Sequence, residues 1–446
     1  MKNNLHFNQF IKALVLSALI ILSFKVNAQM PNPALVGYWH NWNDGSAPYI
    51  ILDSIDSRYN VIEVSFATPV TGTDYNMTFV PEVVSIADFQ SGVSHLQTQG
   101  RKVLLSIGGA NGVVKLDNVA ERDTFVTTMT NIITYFNFDG IDLDLESGSV
   151  IVTGGTISNP TDQSIINMIA AVKQIMSNYR THFNKKMLLT MAPETALVQG
   201  GMSAFGSIWG AYLPIIDGLR DSLDILQVQL YNSGTMNGID GISYTSGTAD
   251  FIVAMTEAVI HGFTATTGGQ FNGLPASKVA VGLPACTSAA GSGFTDTATV
   301  KHAIDYLRGT GTKPGSYTLA VAGGYPDLRG MMTWSINWDK VATCGSVYEF
   351  ATNFQRIFHS SPSSIVESSK SNLSIYPNPA NNLINIDLNK ISKVKELTIY
   401  NDKSQVVMTP DLNSKSIDVS KLSAGLYVIH IITDNLIINK KISILH

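Results

Sequence analysis

The sequence predicts an α/β protein: a closed (β/α)8 barrel of the TIM type, followed by a small all-β, sandwich-like C-terminal domain. Three observations predict it. Eight short runs rich in Val, Ile and Leu recur within residues 29–358, each followed by a polar turn. Successive runs start about 25 to 55 residues apart, which leaves room for one crossover helix between each pair. After a Ser-rich break, residues 373–446 change to the two-residue alternation of half-buried strands. At 446 residues the chain suits one large barrel and one small module.

The elements follow in order. Residues 1–28 carry Lys2 and Lys12, an apolar run over 13–24, and Val26-Asn27-Ala28 as a small-x-small cleavage site, the pattern of a signal peptide. A membrane anchor is the alternative, but a run of about a dozen residues is short for a bilayer, so no stable membrane span is expected. The eight strand candidates are LVGYW (35–39), VIEVSFA (61–67), KVLLSIGG (102–109), FDGIDLDLE (138–146), KMLLTMAPE (186–194), ILQVQLYN (225–232), KVAVGLPA (278–285) and GMMTWSIN (330–337). SIINMIAAVKQIMSNYR (164–180) and ATVKHAIDYLRG (298–309) read as two of the helices. An open doubly wound sheet is the competing arrangement; no GxGxxG follows an early strand, so a nucleotide role has no support. HSSPSSIVESSKSN, residues 359–372, reads as a linker.

Composition narrows the function. The formal charge is −5, and losing Lys2, Lys12 and Lys25 with the leader takes it to −8. With no basic cluster, a nucleic-acid partner is not expected. Charged residues make up only 14%, which fits an extracellular surface solvated by neutral polar groups. Cys286 and Cys344 are too few for a disulfide scaffold or a zinc site; one bridge in an oxidising compartment and two free thiols both remain open.

In such a barrel the chemistry sits at the C-terminal ends of the strands. Trp39, Trp42, Trp209, Trp334 and Trp338 all fall in or just after strands one, five and eight. Aromatic faces stack on sugar rings, so carbohydrate is the expected ligand, with one or two of the five left for core packing.

On the fourth strand, alternation puts Asp142, Asp144 and Glu146 on one face and Ile141, Leu143 and Leu145 on the other. The acids then point into the barrel. Asp139 has the opposite parity and is assigned to orienting the strand entrance by hydrogen bonds. D-x-D-x-E also suggests a calcium loop, but the glycine required at the sixth position is Ser147 here, so no metal and no cofactor are expected. Three neighbouring carboxyls cannot all ionise cheaply, so the set holds a proton. Glu146, nearest the mouth, can deliver one to a leaving-group oxygen. No second carboxylate stands at the two-carboxylate spacing on an obvious facing strand, although Glu194 keeps that option open.

Asp139-Gly140-Ile141-Asp142-Leu143-Asp144-Leu145-Glu146 resembles the DxxDxDxE signature of glycoside hydrolase family 18, the chitinases and their relatives. Ser106-Ile107-Gly108-Gly109 matches the SxGG of strand three, Met191-Ala192-Pro193-Glu194 the end of strand five, Gln229-Leu230-Tyr231-Asn232 the end of strand six, and Trp334 the tryptophan of strand eight. The resemblance spans about residues 33 to 358, and within the family the chain is similar to the bacterial chitinase D group. It implies a retaining, substrate-assisted reaction in which the sugar's own 2-acetamido group is the nucleophile and Glu146 the acid. Asp144 would hold the acetamido N–H, Tyr231 its carbonyl oxygen, and Asp142 would assist Asp144. Tyr38, Trp39, Met191, Glu194, Gln229, Asn232 and Trp334 are assigned to substrate binding, with packing the stronger reading for Met191; Ser106, Gly108, Gly109 and Asp139 are structural parts of the motif. Residues 285–330 look too short for the α+β insertion of processive relatives, which implies an open groove and endo-type cleavage of chitin or N-acetylglucosamine oligosaccharides. An endo-β-N-acetylglucosaminidase acting on N-glycans and a chitinase-like lectin are the alternatives; a lectin usually has the terminal acid replaced.

Tyr376-Pro377-Asn378-Pro379 and Leu422-Ser423-Ala424-Gly425-Leu426-Tyr427 resemble the C-terminal sorting domain of type IX secretion cargo. That implies recognition by the type IX machinery, export to the cell surface or medium, and removal of the tail. An accessory sugar-binding domain is the alternative, weakened by the absence of tryptophan there.

Overall fold

The computed structural model describes residues 29–146, 148–341, 345–359, 375–386, 394–401, 405–411, 416–433 and 437–446. The expected signal peptide, and the linker beyond His359, lie outside the described residues. Two compact units divide between His359 and Ser360.

The first unit is the barrel. Its strands are β1 (Ala34–His40), β2 (Val61–Pro69), β3 (Lys102–Gly108), β4 (Gly140–Asp144), β5 (Leu188–Met191), β6 (Ile225–Leu226), β7 (Ala280–Pro284) and β8 (Gly330–Trp334). Each lies within or across one of the eight predicted runs. Neighbours pair in parallel around the order β7-β8-β1-β2-β3-β4-β5-β6, and the bridges Leu226↔Val279 and Gln229↔Gly282 close the ring. Crossover helices include α1 (Ile86–Thr98), α2 (Val119–Phe136), α3 (Gln163–Phe183), α4 (Leu213–Leu219), α5 (Ala249–His261) and α6 (Thr297–Leu307). The side chains of Ser85, Asn118, Thr248 and Asp296 each accept a backbone N–H of the first turn of α1, α2, α5 and α6, satisfying donors that a helix start leaves open. Between Ala285 and Gly330 there is a 3-10 turn and α6, and no strand.

Parity sorts the barrel into two cores. Leu35, Trp39, Ile62, Val64, Leu105, Ile141, Leu143, Leu189 and Met191 pack outward among the helices. Ala34, Val36, Val61, Leu104, Leu188, Ile225, Ala280 and Met332 fill the lower interior. The next inward positions are polar: Tyr38, Glu63, Ser106, Asp142, Thr190 and Gln227 are all buried. The lower plug is hydrophobic and the upper half is a hydrogen-bonded polar layer, the division expected where stability lies at one end of a barrel and chemistry at the other.

The second unit, taken by itself, has two antiparallel sheets. One pairs Ile375–Tyr376, Leu383–Ile386 and Ser416–Asp418; the other pairs Val406–Met408, Val394–Tyr400, Gly425–Thr433 and Ile437–Ile444. Alternate residues such as Ile384, Ile386, Leu397, Ile399, Ile429, Ile431, Ile442 and Ile444 form its core, as the period-two pattern requires.

Candidate active site

A cleft of about 430 Å³ opens at the C-terminal ends of the barrel strands, and its lining includes Asp144, Glu146, Glu194, Gln229, Tyr231 and Trp334. The β4 acids descend from it into the barrel. Asp142 is wholly buried. Its Oδ2 accepts Tyr38 Oη and Ser106 Oγ, each at 2.7 Å, and its Oδ1 accepts Thr190 Oγ1 at 2.8 Å and Gln227 Nε2 at 3.4 Å. Register dictates part of this set, since Ser106, Asp142 and Thr190 are direct partners across β3, β4 and β5. Gln229 Nε2 donates to Asp144 Oδ1 at 2.8 Å and to Ala192 O at 3.0 Å. Glu146 is half-buried beyond the last β4 residue.

Every acid of the column is pushed above its ordinary range. Burial is the main cause for Asp142, opposed by its four hydrogen bonds. For Asp144 burial is joined by the charges of Glu146, Asp142 and Glu63. For Glu146 burial is joined by the charge of Glu194, with the Gln229 amide pulling the other way. A buried cluster of like charges keeps protons rather than releasing them. Burial, then the charges of Asp144 and Glu146, likewise holds the Tyr231 phenol well above its usual range, so it stays a hydrogen-bond donor.

The floor and one wall are aromatic. Trp334 stacks on Phe66 with centroids 5.9 Å apart at 14° and lies 6.4 Å from Trp42, while Trp42 stacks on His40 at 4.5 Å and 10°. His40 is buried, with Nε2 2.8 Å from Ser335 Oγ, and burial lowers its imidazole to about 4, so it is neutral at pH 7.

The predicted site residues do not all meet here. Tyr38 lies beneath the cleft and touches Asp142, where it positions an acid. Trp39 is one residue out of phase: its indole N–H donates to Ile50 O at 2.8 Å and its ring packs on Tyr49 and Phe89, so it belongs to the outer core and not to substrate binding. Met191 has the same outward parity and is core as well. Of the other tryptophans, Trp209 and Trp338 are not part of the cleft lining. Asn232 lines the cleft, with Oδ1 accepting Gly291 N at 2.9 Å and Ser292 N at 3.2 Å, which ties down the loop after β7. That loop is also anchored at buried Cys286, which is disulfide-bonded; Cys344 lies outside the described residues. Asp139 stands at the lower end of β4, where Oδ2 accepts Val103 N and Gln97 Nε2 at 3.1 Å and Oδ1 pairs with Lys185 at 3.4 Å.

Gly108 and Gly109 hold the backbone beside the acids. Gly108 has φ +105°, a Cβ there would sit 2.5 Å from Asp144 O, and Gly109 N donates to that same carbonyl at 2.8 Å. Gly108→Ala is expected to destabilise the barrel by about 1–3 kcal/mol through forced backbone strain and to lower kcat by displacing Asp144; thermal unfolding and steady-state rates check both.

Several site residues carry signals not used in the sequence reading. Glu63, Thr190 and Gln227 are polar residues at inward positions of otherwise apolar strands; Thr190 and Gln227 touch Asp142, and Glu63 reaches it through them. Phe66 lines the cleft from a segment whose course parity alone does not trace, beside Trp42, one of the tryptophans expected at a strand end.

Acids stacked at the C-terminal mouth of a (β/α)8 barrel, beside an aromatic wall, form a site of the glycoside hydrolase class. Comparison with known proteins specifies it further. Residues 34–368 match the glycosyl hydrolases family 18 profile, and residues 374–445 match the secretion system C-terminal sorting domain. The chain belongs to glycosyl hydrolase family 18. It is 45% identical over 309 residues to chitinase Chi52 of Paenibacillus xylanexedens and 44% identical over 310 residues to chitinase D of Niallia circulans; each match covers 68% of this chain and 58% of the relative. The chain thus matches little more than half the length of these relatives. The crystal structure of a family GH18 chitinase from Chromobacterium violaceum matches with a TM-score of 0.66 at 38% identity, over 74% of this chain and 85% of that one. Among the described residues no helix is long and apolar enough to cross a membrane.

Proposed function

We propose that the chain is a secreted, endo-acting chitinase that hydrolyses β-1,4 links between N-acetylglucosamine units with retention, using the substrate's own 2-acetamido group as nucleophile. The observation that carries this reading is the division of labour in the acid column. Asp142 is committed to barrel hydroxyls, whereas Asp144 and Glu146 open on the cleft beside Tyr231. The names of the relatives support the substrate class.

A sugar bound over Trp334 would place its acetamido group between Asp144 and Tyr231. Glu146 donates its proton to the glycosidic oxygen; the acetamido carbonyl oxygen forms a bond to the anomeric carbon as the glycosidic bond breaks. Asp144 accepts the amide N–H, whose hydrogen becomes more acidic as the oxazolinium ring forms, and Tyr231 donates to the carbonyl oxygen and aligns it. Glu146, now a carboxylate, takes a proton from water, which attacks the anomeric carbon and reopens the ring with net retention. The sorting domain profile supports export by the type IX route.

The test is hydrolysis of N-acetylglucosamine oligomers of defined length beside oligomers whose reacting sugar carries a free 2-amine. The acetylated series is expected to be cut internally at rates at least about 100-fold higher. Equal rates would make Glu194 the nucleophile of a two-carboxylate enzyme and overturn substrate assistance. Preference for a high-mannose glycoprotein over chitin pentamer would move the substrate to N-glycans.

A further inference from the structure

One carboxyl inside the barrel has no part in the reaction as described. Glu63 on β2 is fully buried, and Gln227 Nε2 donates to its two oxygens at 2.6 and 2.7 Å. Between Glu63 and Asp142 stands Thr190 Oγ1, 2.8 Å from Glu63 Oε1 and 2.8 Å from Asp142 Oδ1. A hydroxyl has one hydrogen, so it donates to one of these oxygens and must accept from the other. Two ionised carboxylates would leave lone pairs opposed at one contact. One of the two acids therefore carries a proton and gives it to Thr190. Asp142 also accepts the Tyr38 and Ser106 hydroxyls, which suits it to hold the charge, and the proton rests on Glu63. Turning the Gln227 amide over would set its buried, unpartnered Oε1 against Glu63, which requires a proton there as well.

We propose that Glu63 stores a proton for the acid column and that Thr190 relays it to Asp142, so that this pair positions Asp144 by setting the charge beneath it. In the relay the Glu63 O–H bond breaks as Thr190 Oγ1 takes that hydrogen, and the Thr190 hydroxyl hydrogen moves to Asp142 Oδ1. Glu63 ends as carboxylate and Asp142 as neutral acid, with no net proton change. Burial and the Asp142 charge favour the neutral form of Glu63. The titratable groups around it are Tyr38 from β1, Asp142 and Asp144 from β4, and Tyr231 after β6; Thr190 and Gln227 complete its surroundings without charge. Neither Glu63 nor Thr190 lines the cleft, so both act through Asp142.

The inference rests on the functional reading above, and the full chain tests the two separately. Thr190→Val removes the relay hydroxyl at nearly constant volume. It is expected to lower kcat on N-acetylglucosamine oligomers roughly tenfold, to leave KM within about twofold, and to displace the limbs of the pH–rate profile. Thr190→Ser restores the hydroxyl and is expected to recover rate and profile. Glu63→Gln removes the stored proton; because a carboxyl with a raised folded-state pKa stabilises at low pH and loses that contribution as pH rises, the variant should flatten the fall of the thermal midpoint as pH rises above the ordinary carboxylate range. A folded Thr190→Val variant with wild-type kcat and profile overturns the proposal. So does a Thr190→Ser variant that fails to recover, or an unchanged stability profile in Glu63→Gln. If Glu146→Gln abolishes hydrolysis while these variants behave as wild type, only the relay fails; if Glu146→Gln remains active, the functional reading itself fails.

Discussion

Glu146→Gln is expected to reduce kcat on N-acetylglucosamine oligomers by about 10²–10⁴-fold while KM moves by less than about threefold. The amide keeps the shape and polarity of the carboxyl at the edge of the cleft, so in the proposed binding mode the sugar would still find its floor at Trp334 and its partners at Asp144 and Tyr231. What disappears is the acidic proton, needed only as the glycosidic bond breaks, so the loss falls on the transition state. The acid form must survive at working pH for this role. Burial and the neighbouring Glu194 charge raise the Glu146 pKa; activity should be retained as pH rises past the ordinary carboxylate range and fall when pH crosses the raised value. The variant should lack that basic limb in its residual rate. Rates and binding isotherms on oligomers of defined length check the result, and turnover near wild type would remove Glu146 from its role.

The barrel was legible because its strands are buried on both sides and separated by capped helices, so apolar runs and spacing suffice to place them. The acid column was legible for a different reason: parity on β4 puts Asp142 and Asp144 inside. The same rule, applied to β1, places Tyr38 inside and Trp39 outside, and on β5 it places Thr190 inside and Met191 outside. Assigning Trp39 to the site let residue type and motif proximity override geometry, while the packing reading of Met191 is the one its parity supports. Glu63 was equally open to parity, as the lone acid at an inward position of VIEVSFA. Trp42 was legible by residue type at a strand end, though its exact course, like that of Phe66, was not. Trp42 lies beyond the end of β1, and Phe66 lies in the outer half of β2, where the pairing with β3 shifts register between Val64 and Ala67. No periodicity in the sequence carries that path.

Asp144→Asn is expected to lower kcat by about 10²–10³-fold, a loss of the size seen when one positioned group leaves a charge-stabilising site. Gln229 occupies Oδ1, so an asparagine there keeps its carbonyl oxygen on Gln229 and turns its amide N–H2 toward the cleft. The acetamido N–H of the substrate then meets a donor where it needs an acceptor, and most sharply as positive charge builds on the oxazolinium ring. Stability should move differently. Burial and the charges of Glu146, Asp142 and Glu63 raise the Asp144 pKa, so the folded state binds a proton that the unfolded chain releases, and wild-type stability falls as pH rises through the raised value. Asparagine does not titrate and relieves the repulsion. The variant's thermal midpoint at pH 8 should equal or exceed that of wild type, while at pH 4 the advantage vanishes. An inactive variant that is more stable at alkaline pH would identify the charge on Asp144 as strain retained for catalysis; unchanged kcat, or a midpoint depressed at pH 8, would refute that account. The crowding of acids on β4 would then be a feature the fold tolerates at a cost in stability, for the sake of an acceptor aimed at the sugar's own nucleophile.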